Sequence, residues 1–195
     1  MNQQSTSHYD SLSQAFHWVT AIIVAITFTL GPGGFARLLR QGIDPATRDS
    51  IVWHESLGLL VLVMTVLRLL WVALRPAAPQ FPTTGWMNAT AKWAHLALWV
   101  LLLALPITAV LALGSKAHPL TLLGGVRIDQ MPMIANSAIA KLADWGDVHQ
   151  FLGDTIMWLA GLHGAAAIYH HTILKDGVLA AMLPHDEPFG ADTGE

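Results

Sequence analysis

The chain has 195 residues, of which 53% are hydrophobic and 12% are charged, with a net charge of −3 and a mean hydropathy of +0.48. Because soluble domains carry about a quarter charged residues, this composition excludes an ordinary soluble domain and indicates an integral membrane protein, and the net charge gives no indication of nucleic-acid binding. Cysteine is absent, which excludes disulfides and thiolate metal sites.

Four apolar segments follow one another along the chain, each about as long as a helix needs to be to cross a bilayer. The first begins at a Ser11–Gln14 capping box and ends at a glycine-rich turn, and the third carries Pro106, which predicts a kink. The predicted spans are 12–31, 51–74, 92–113 and 147–174, with a short surface helix at 133–143 in the longest loop. We therefore expect a single domain over residues 1–195, an all-α integral membrane four-helix bundle with ligand sites between facing helices.

The ten histidines are the most unusual feature of the composition, because most lie in or beside the apolar spans. His149 and His163 lie 14 residues apart in the fourth span, which places them about 21 Å apart along a helix and nearly on one face. Ionisable side chains inside membrane helices need a functional reason. We interpret each as one of two axial ligands of a haem, which predicts two non-covalent haems stacked across a lipid bilayer.

The direction of the spans indicates which histidines can meet. Successive spans alternate in direction, so His54 at the start of the second span shares a depth with His149 at the start of the fourth. Each is followed four residues later by a glycine, which leaves room for a flat macrocycle; the alternative is that these glycines only allow close helix packing. Near the opposite side, His163 could meet either His17 or His95, and the geometry of the sequence does not choose between them.

Arg68 lies 14 residues after His54, on the same helix face and at the depth of His163. A cation in a membrane helix is costly unless an anion meets it, and a haem propionate is a carboxylate suited to arginine. The alternative is an arginine that extends to the nearer interface. A zinc or copper site is disfavoured because the interiors of the spans lack further acidic or Cys ligands.

These residues resemble the bacterial cytochrome b561 family of di-haem membrane b-type cytochromes, over about residues 9–184. The likeness depends on an ordered set of motifs rather than on any one of them. The set consists of Tyr9, His17-Trp18, Trp53-His54, Gly58, Arg68, Ala94-His95, Leu105-Pro106, His149, Gly153, the run 161–167, His170-His171 and Lys175-Asp176.

The resemblance implies four axial ligands to two b haems. The pairs are His54 with His149 on the periplasmic side and His17 with His163 on the cytoplasmic side. His95 is then left without an iron, and we expect His95 and His170 to lie near the cytoplasmic-side haem, at a site for a quinone head group such as ubiquinone. The alternative for His170 and His171 is a simple interfacial position.

The function implied by the resemblance is one-electron transfer between the periplasmic face and the quinone pool. The protein is then expected in the bacterial inner membrane with both termini in the cytoplasm. Two axial histidines saturate the iron and leave no position open for oxygen. Superoxide oxidation with quinone as acceptor is an activity described within the family, so the expected donor is superoxide or a periplasmic redox partner. Whether this chain is an enzyme of the superoxide oxidase or quinone reductase type stays open, and no catalytic residue is identified.

Two other functions remain open from the sequence: the cytochrome b subunit of a larger hydrogenase or dehydrogenase complex, and a non-redox, histidine-based metal or proton transporter.

The distribution of basic residues disagrees with the orientation typical of the family. On the side expected in the periplasm lie Arg37, Arg40, Arg48, Lys116, Arg127 and Lys141, against Arg75, Lys92 and Lys175 on the other. Cations near the periplasmic-side haem would suit an anionic electron donor.

Overall fold

The computed structural model describes residues 8–31, 34–75, 79, 85–129 and 132–184. In chain order the helices are α1 (Ser11–Leu30), α2 (Phe35–Arg40), α3 (Asp49–Leu74), α4 (Gly85–Ser115), α5 (Pro132–Ala135) and α6 (Trp145–Tyr169). A π-helical turn over His170–Leu174 continues α6. Two short strands, β1 (Leu120–Thr121) and β2 (Arg127–Ile128), pair antiparallel as a hairpin. Single 3₁₀ turns occur at Pro45–Thr47, Leu123–Gly125, Ile139–Lys141 and Ala180–Met182.

Within the described part of the chain, four helices are long and apolar enough to cross a membrane. Their outward surfaces carry large aliphatic side chains, such as Leu70 of α3 and Val100 and Ile107 of α4. Such side chains can contact lipid tails favourably, because lipid tails are as apolar as leucine. The expected all-α, four-helix membrane bundle is therefore confirmed, and the chain is a multi-pass membrane protein.

The ends of the helices differ from expectation in three places. The predicted capping box at Ser11–Gln14 is wrong, because the N-cap is Asp10, whose carboxylate accepts the Ser13 N–H at 2.8 Å and the Ser13 hydroxyl at 2.7 Å. The third long helix begins at Gly85, before the predicted residue 92, since residues 85–91 are mostly apolar and include the good helix formers Met87, Ala89 and Ala91. The predicted surface helix at 133–143 forms only as α5 and a separate 3₁₀ turn.

The bundle consists of two closely packed helix pairs. Helix α4 packs most extensively against α6, and α1 against α3, while α3 and α4 join the two pairs. Direct packing between α1 and α6 is sparse. The buried centre holds Val61, Leu101, Leu102 and Ile156, so apolar contacts close the middle of the bundle and leave sites toward its two ends.

The β1–β2 hairpin is fastened onto the start of α3. The Glu55 carboxylate accepts the Thr121 N–H at 2.6 Å, and the Ser56 hydroxyl accepts the Leu123 N–H at 2.9 Å. The hairpin also ties to the α2–α3 connection through an ion pair of 2.9 Å between Arg127 and Asp44. These contacts hold the hairpin over the end of the bundle where α3 and α6 begin.

Candidate haem-binding sites

The imidazoles of His54 in α3 and His149 in α6 face each other with ring centroids 6.0 Å apart; we call this pair the His54 site. The Nδ1 of His54 lies 2.8 Å from the Thr27 carbonyl oxygen of α1, and the Nδ1 of His149 lies 3.0 Å from the Leu105 carbonyl oxygen of α4. Because a carbonyl oxygen can only accept, Nδ1 is the donor in both contacts. Each Nε2 is therefore left with a lone pair for a metal, the arrangement that metal-binding histidines commonly show.

An apolar cavity surrounds the His54 site and is lined by residues from all four long helices. Gly58 and Gly153, each four residues after a histidine, border this cavity. A Cβ added at Gly58 would meet nothing within 4 Å, and at Gly153 it would meet only Leu105 Cδ2, at 4.0 Å. The two glycines therefore leave open space beside the imidazoles that any other residue would begin to fill.

At the other end of the bundle, three imidazoles from three helices come together; we call them the His163 site. The His163 ring centroid of α6 lies 6.3 Å from that of His17 in α1 and 5.1 Å from that of His95 in α4. His17 and His163 are half-buried, whereas His95 is exposed. The structure thus brings His163 together with both of its candidate partners, His17 and His95, between which the sequence did not choose.

The spacing of these rings can be compared with that of a six-coordinate iron. Each metal–nitrogen bond is about 2 Å long and the ring centre lies about 1 Å further on, so two axial imidazoles have centroids about 6 Å apart. His54 with His149 and His17 with His163 fit this spacing. His95 with His163, at 5.1 Å, is too close. Both ends of the bundle therefore contain one pair of residues that fits a haem.

Arg68 lies beside the His163 site. Its guanidinium carbon lies 4.9 Å from the centre of the Trp99 ring, and it is near enough to His17 and His163 to interact with them electrostatically. In the described part of the chain no carboxylate forms an ion pair with Arg68. An unpaired cation in a membrane helix is costly, so this guanidinium suits the acidic group of a bound ligand.

Thr20 is a second polar group without a partner. Its side chain is 4% exposed, and its hydroxyl is the only buried side-chain polar atom among the described residues that makes no hydrogen bond. Thr20 lies three residues after His17, on a neighbouring part of the same face of α1. A buried hydroxyl of this kind usually has a partner, which is consistent with a ligand at the His163 site.

His95 and His170 are not brought together by any contact among the described residues. The Nδ1 of His170 instead pairs with a carboxylate oxygen of Asp176, and no described residue bonds its Nε2. Burial is the largest influence on Asp176 and opposes its ionisation, but the hydrogen bonds from His170 and the Val178 N–H together outweigh it and hold the pKa of that carboxyl below its ordinary value. His170 thus lies on the π-helical turn after α6 rather than beside His95.

Three parts of the His54 site could not be found from the sequence. The carbonyl oxygens of Thr27 and Leu105 orient the histidines, but every residue has a carbonyl group, so the sequence carries no signal for them. The sequence indicates Gly31 only as the end of a helix, yet a Cβ there would overlap the His54 ring. A histidine-based metal transporter is an alternative function for this chain. Among the described residues, no group of three or more His, Cys, Asp or Glu is placed to hold a metal ion.

Comparison with known proteins gives consistent matches over most of the chain. Residues 8–185 match the family described as prokaryotic cytochrome b561. Cytochrome b561 homolog 2 of Escherichia coli strain K12 is 32% identical over 176 residues, 90% of each chain. Cytochrome b561 homolog 1 of the same strain is 27% identical over 174 residues, 86% of this chain and 92% of its own. The probable superoxide oxidase CybB of Yersinia pestis is 29% identical over 182 residues, 90% of this chain and 96% of its own.

Proposed function

This chain belongs to the prokaryotic cytochrome b561 family of membrane electron-transfer proteins that bind b-type haem, and on that basis we propose that it holds two haems and moves single electrons across the membrane. The observation that carries the proposal is the pair of cross-helix imidazole contacts, with ring centroids 6.0 Å and 6.3 Å apart. Their members His149 and His163 lie about 21 Å apart along α6, so the two sites lie at two depths of the bilayer. A bound b haem supplies a one-electron iron couple.

The proposed axial ligands are His54 with His149 at one site and His17 with His163 at the other. The Thr27 and Leu105 carbonyls hold the first pair with Nε2 free. This orientation also makes each imidazole a stronger ligand. The hydrogen bond from Nδ1–H to the carbonyl oxygen raises the basicity of Nε2. His95 remains outside the coordination because its ring lies too close to that of His163 for both to bind one iron.

The residues around each site suit electron transfer, a reaction in which no covalent bond is formed or broken. The apolar lining of the His54 cavity keeps water away from the imidazoles, and Gly58 and Gly153 leave the space that a flat macrocycle needs. At the His163 site, Arg68 is placed to neutralise a propionate. With a haem bound, both imidazoles of each pair would be committed to its iron, so the sites would support electron transfer rather than binding of oxygen.

The proposed orientation places the His54 site and the β1–β2 hairpin on the periplasmic side of the inner membrane, with both termini in the cytoplasm. The basic residues of the periplasmic loops then surround the entry point of an anionic donor. Two of them are paired with acids of the same loops, Arg127 with Asp44 at 2.9 Å and Lys116 with Asp144 at 3.9 Å. Such pairing reduces the positive charge that the loops present to a donor, while the excess of basic residues that argues for the opposite orientation remains.

We propose superoxide as the donor, supported by the likeness to a probable superoxide oxidase, and a quinone such as ubiquinone as the acceptor. Each superoxide anion gives up one electron and leaves as oxygen. A quinone takes two electrons and two protons to become the quinol, so two superoxide anions are oxidised for each quinone reduced. The proposed quinone position is at the end of α6 near His170, whose Nε2 is not bonded by a described residue, with His95 on the same side of the membrane.

The ligand assignment is tested by comparing His17→Ala with His95→Ala. We expect His17→Ala to lose one haem per chain and His95→Ala to keep both, measured as haem b per polypeptide and as the redox difference spectrum. Retention of both haems in the first variant and loss of one in the second would reverse the assignment.

The donor and acceptor are tested with purified oxidised protein in quinone-containing vesicles. Pulses of superoxide should reduce the haems and then form quinol, with about two superoxide anions consumed per quinol. Haems that dithionite reduces but superoxide does not would contradict superoxide as the donor while leaving electron transfer intact.

A further inference from the structure

The segment 177–183, which we call the clasp, binds the start of α1. The Ala181 carbonyl oxygen accepts the Tyr9 N–H and the Gln14 side-chain amide, both at 3.1 Å. The Met182 carbonyl oxygen accepts the Trp18 indole N–H at 2.7 Å. Ala181 is 0% exposed and Gln14 is 4% exposed, so the contact between them is closely packed, whereas the Trp18 contact lies at the exposed edge of the interface.

The chain reaches this position by a defined reversal after α6. The π-helical turn ends at Lys175, which has φ 53°, and Gly177 has φ 79°, so two left-handed residues turn the backbone back. Between them Asp176 pairs with His170 and accepts the Val178 N–H at 3.2 Å. The direction of the clasp is therefore fixed by hydrogen bonds on the end of α6.

The clasp joins two helices that otherwise have little contact. His17 is on α1 and His163 is on α6, yet α1 packs mainly on α3 and α6 mainly on α4. The clasp follows the π-helical turn at the end of α6 and binds α1 at Gln14 and Trp18, one on each side of His17 along the helix. It is therefore well placed to fix the distance between the two histidines.

We propose that the clasp positions His17 against His163 and so determines how firmly the haem of the His163 site is held. Gln14 and Trp18 are positioning residues in this proposal, since neither is a ligand. The inference depends on the proposed ligation by His17 and His163. Without the clasp, α1 is free to move against α6, and a ligand pair that must stay about 6 Å apart loses its spacing.

The first test removes the two side-chain donors, keeping the size of the side chain at Gln14 and an aromatic ring at Trp18. Gln14→Leu and Trp18→Phe should each lower haem occupancy at the His163 site at least twofold or shift its midpoint potential, while the haem of the His54 site is unchanged. Trp158→Phe is the matched control, because Trp158 is 77% exposed on α6 and makes no hydrogen bond to a described residue. Trp18 also touches the His17 ring edge to face at 5.3 Å, so only an effect shared with Gln14→Leu supports the proposal.

The second test does not depend on haem. The chain has no cysteine, so spin labels can be placed at Ala21→Cys with Ala166→Cys near the His163 site, and at Thr29→Cys with Gln150→Cys near the other end. In haem-free protein, Gln14→Leu should at least double the width of the first distance distribution and leave the second unchanged. Unchanged widths and unchanged haem in the variants would overturn the clasp proposal alone. Retention of both haems in the His17→Ala variant would instead overturn the ligand assignment, while the distances still report on the clasp.

Discussion

Gly31→Ala should weaken haem binding at the His54 site although residue 31 is not a ligand. The backbone of Gly31 has φ −77° and ψ −20°, which alanine adopts without strain. A Cβ at this position would lie 2.6 Å from the His54 Nδ1. Since normal contacts are about 3.5 Å or longer, the imidazole must move by about 1 Å.

Such a movement breaks the hydrogen bond of 2.8 Å between His54 and the Thr27 carbonyl. Loss of a bond that orients a metal ligand lowers affinity about 10- to 100-fold, which corresponds to about 1.4 to 2.8 kcal/mol. The assay is haem content per chain during dilution in detergent, together with a potentiometric titration that resolves the two haems.

The matched control is Gly161→Ala, because Gly161 is also helical and a Cβ there meets nothing within 4 Å. This control should keep both haems and gain up to about 1 kcal/mol of helix stability. If Gly31→Ala keeps the haem of the His54 site at native affinity and potential, the close approach between Gly31 and a ligating His54 is refuted.

Three further predictions concern the other end of the bundle. Arg68→Met should lower the midpoint potential of the haem at the His163 site by roughly 50 to 100 mV, as expected for removal of a charge about 10 Å away at an effective dielectric of about 20. Arg68→Lys should lower this potential less. A redox titration that gives the native protein and Arg68→Met the same potential would contradict a propionate contact. Thr20→Val should speed haem loss from this site while the melting temperature of the haem-free protein stays equal or rises, since an unpaired buried hydroxyl is removed; greater stability with and without haem would argue against a ligand contact. Asp10→Ala should cost about 1 kcal/mol as a lost N-cap. Burial opposes the ionisation of Asp10, but bonds from Ser13 and Trp71 hold its pKa below 3.8, so its stabilisation is complete above that value and is lost as the pH falls through the lowered pKa. The difference in melting temperature from the native protein should therefore shrink as the pH falls below 3.8 and through the lowered pKa, and a difference that does not diminish on acidification would contradict a charged cap.

The depth of each histidine follows from the sequence alone. A helix rises about 1.5 Å per residue and successive spans alternate in direction, so His54 and His149 were expected at one level, and their rings lie 6.0 Å apart. The same reasoning placed Arg68 at the level of His163, and the guanidinium lies near that site. The length of each apolar segment and the rise of a helix determine these depths, and both can be obtained from a short stretch of sequence.

The lateral arrangement of the helices cannot be predicted from short stretches of sequence. The choice between His17 and His95 depends on which helices are neighbours and how each is rotated, and the ring distances of 6.3 Å and 5.1 Å distinguish them only in three dimensions. The sequence does not identify the cap of α1, because Asp10 and Ser11 are both good caps and the bond from Trp71 of α3 to Asp10 forms only in the folded chain. The clasp joins residues more than 160 positions apart in the chain, so local patterns gave no sign of it.

The number of haems in the purified chain tests the central claim most directly. The native protein should contain two haem b per polypeptide, reduced in two resolved steps. His149→Ala and His54→Ala should each contain one, with the potential of the haem at the His163 site retained. A native protein with one haem or none, or a His149→Ala protein that still carries two, would contradict ligation by two pairs of histidines from facing helices.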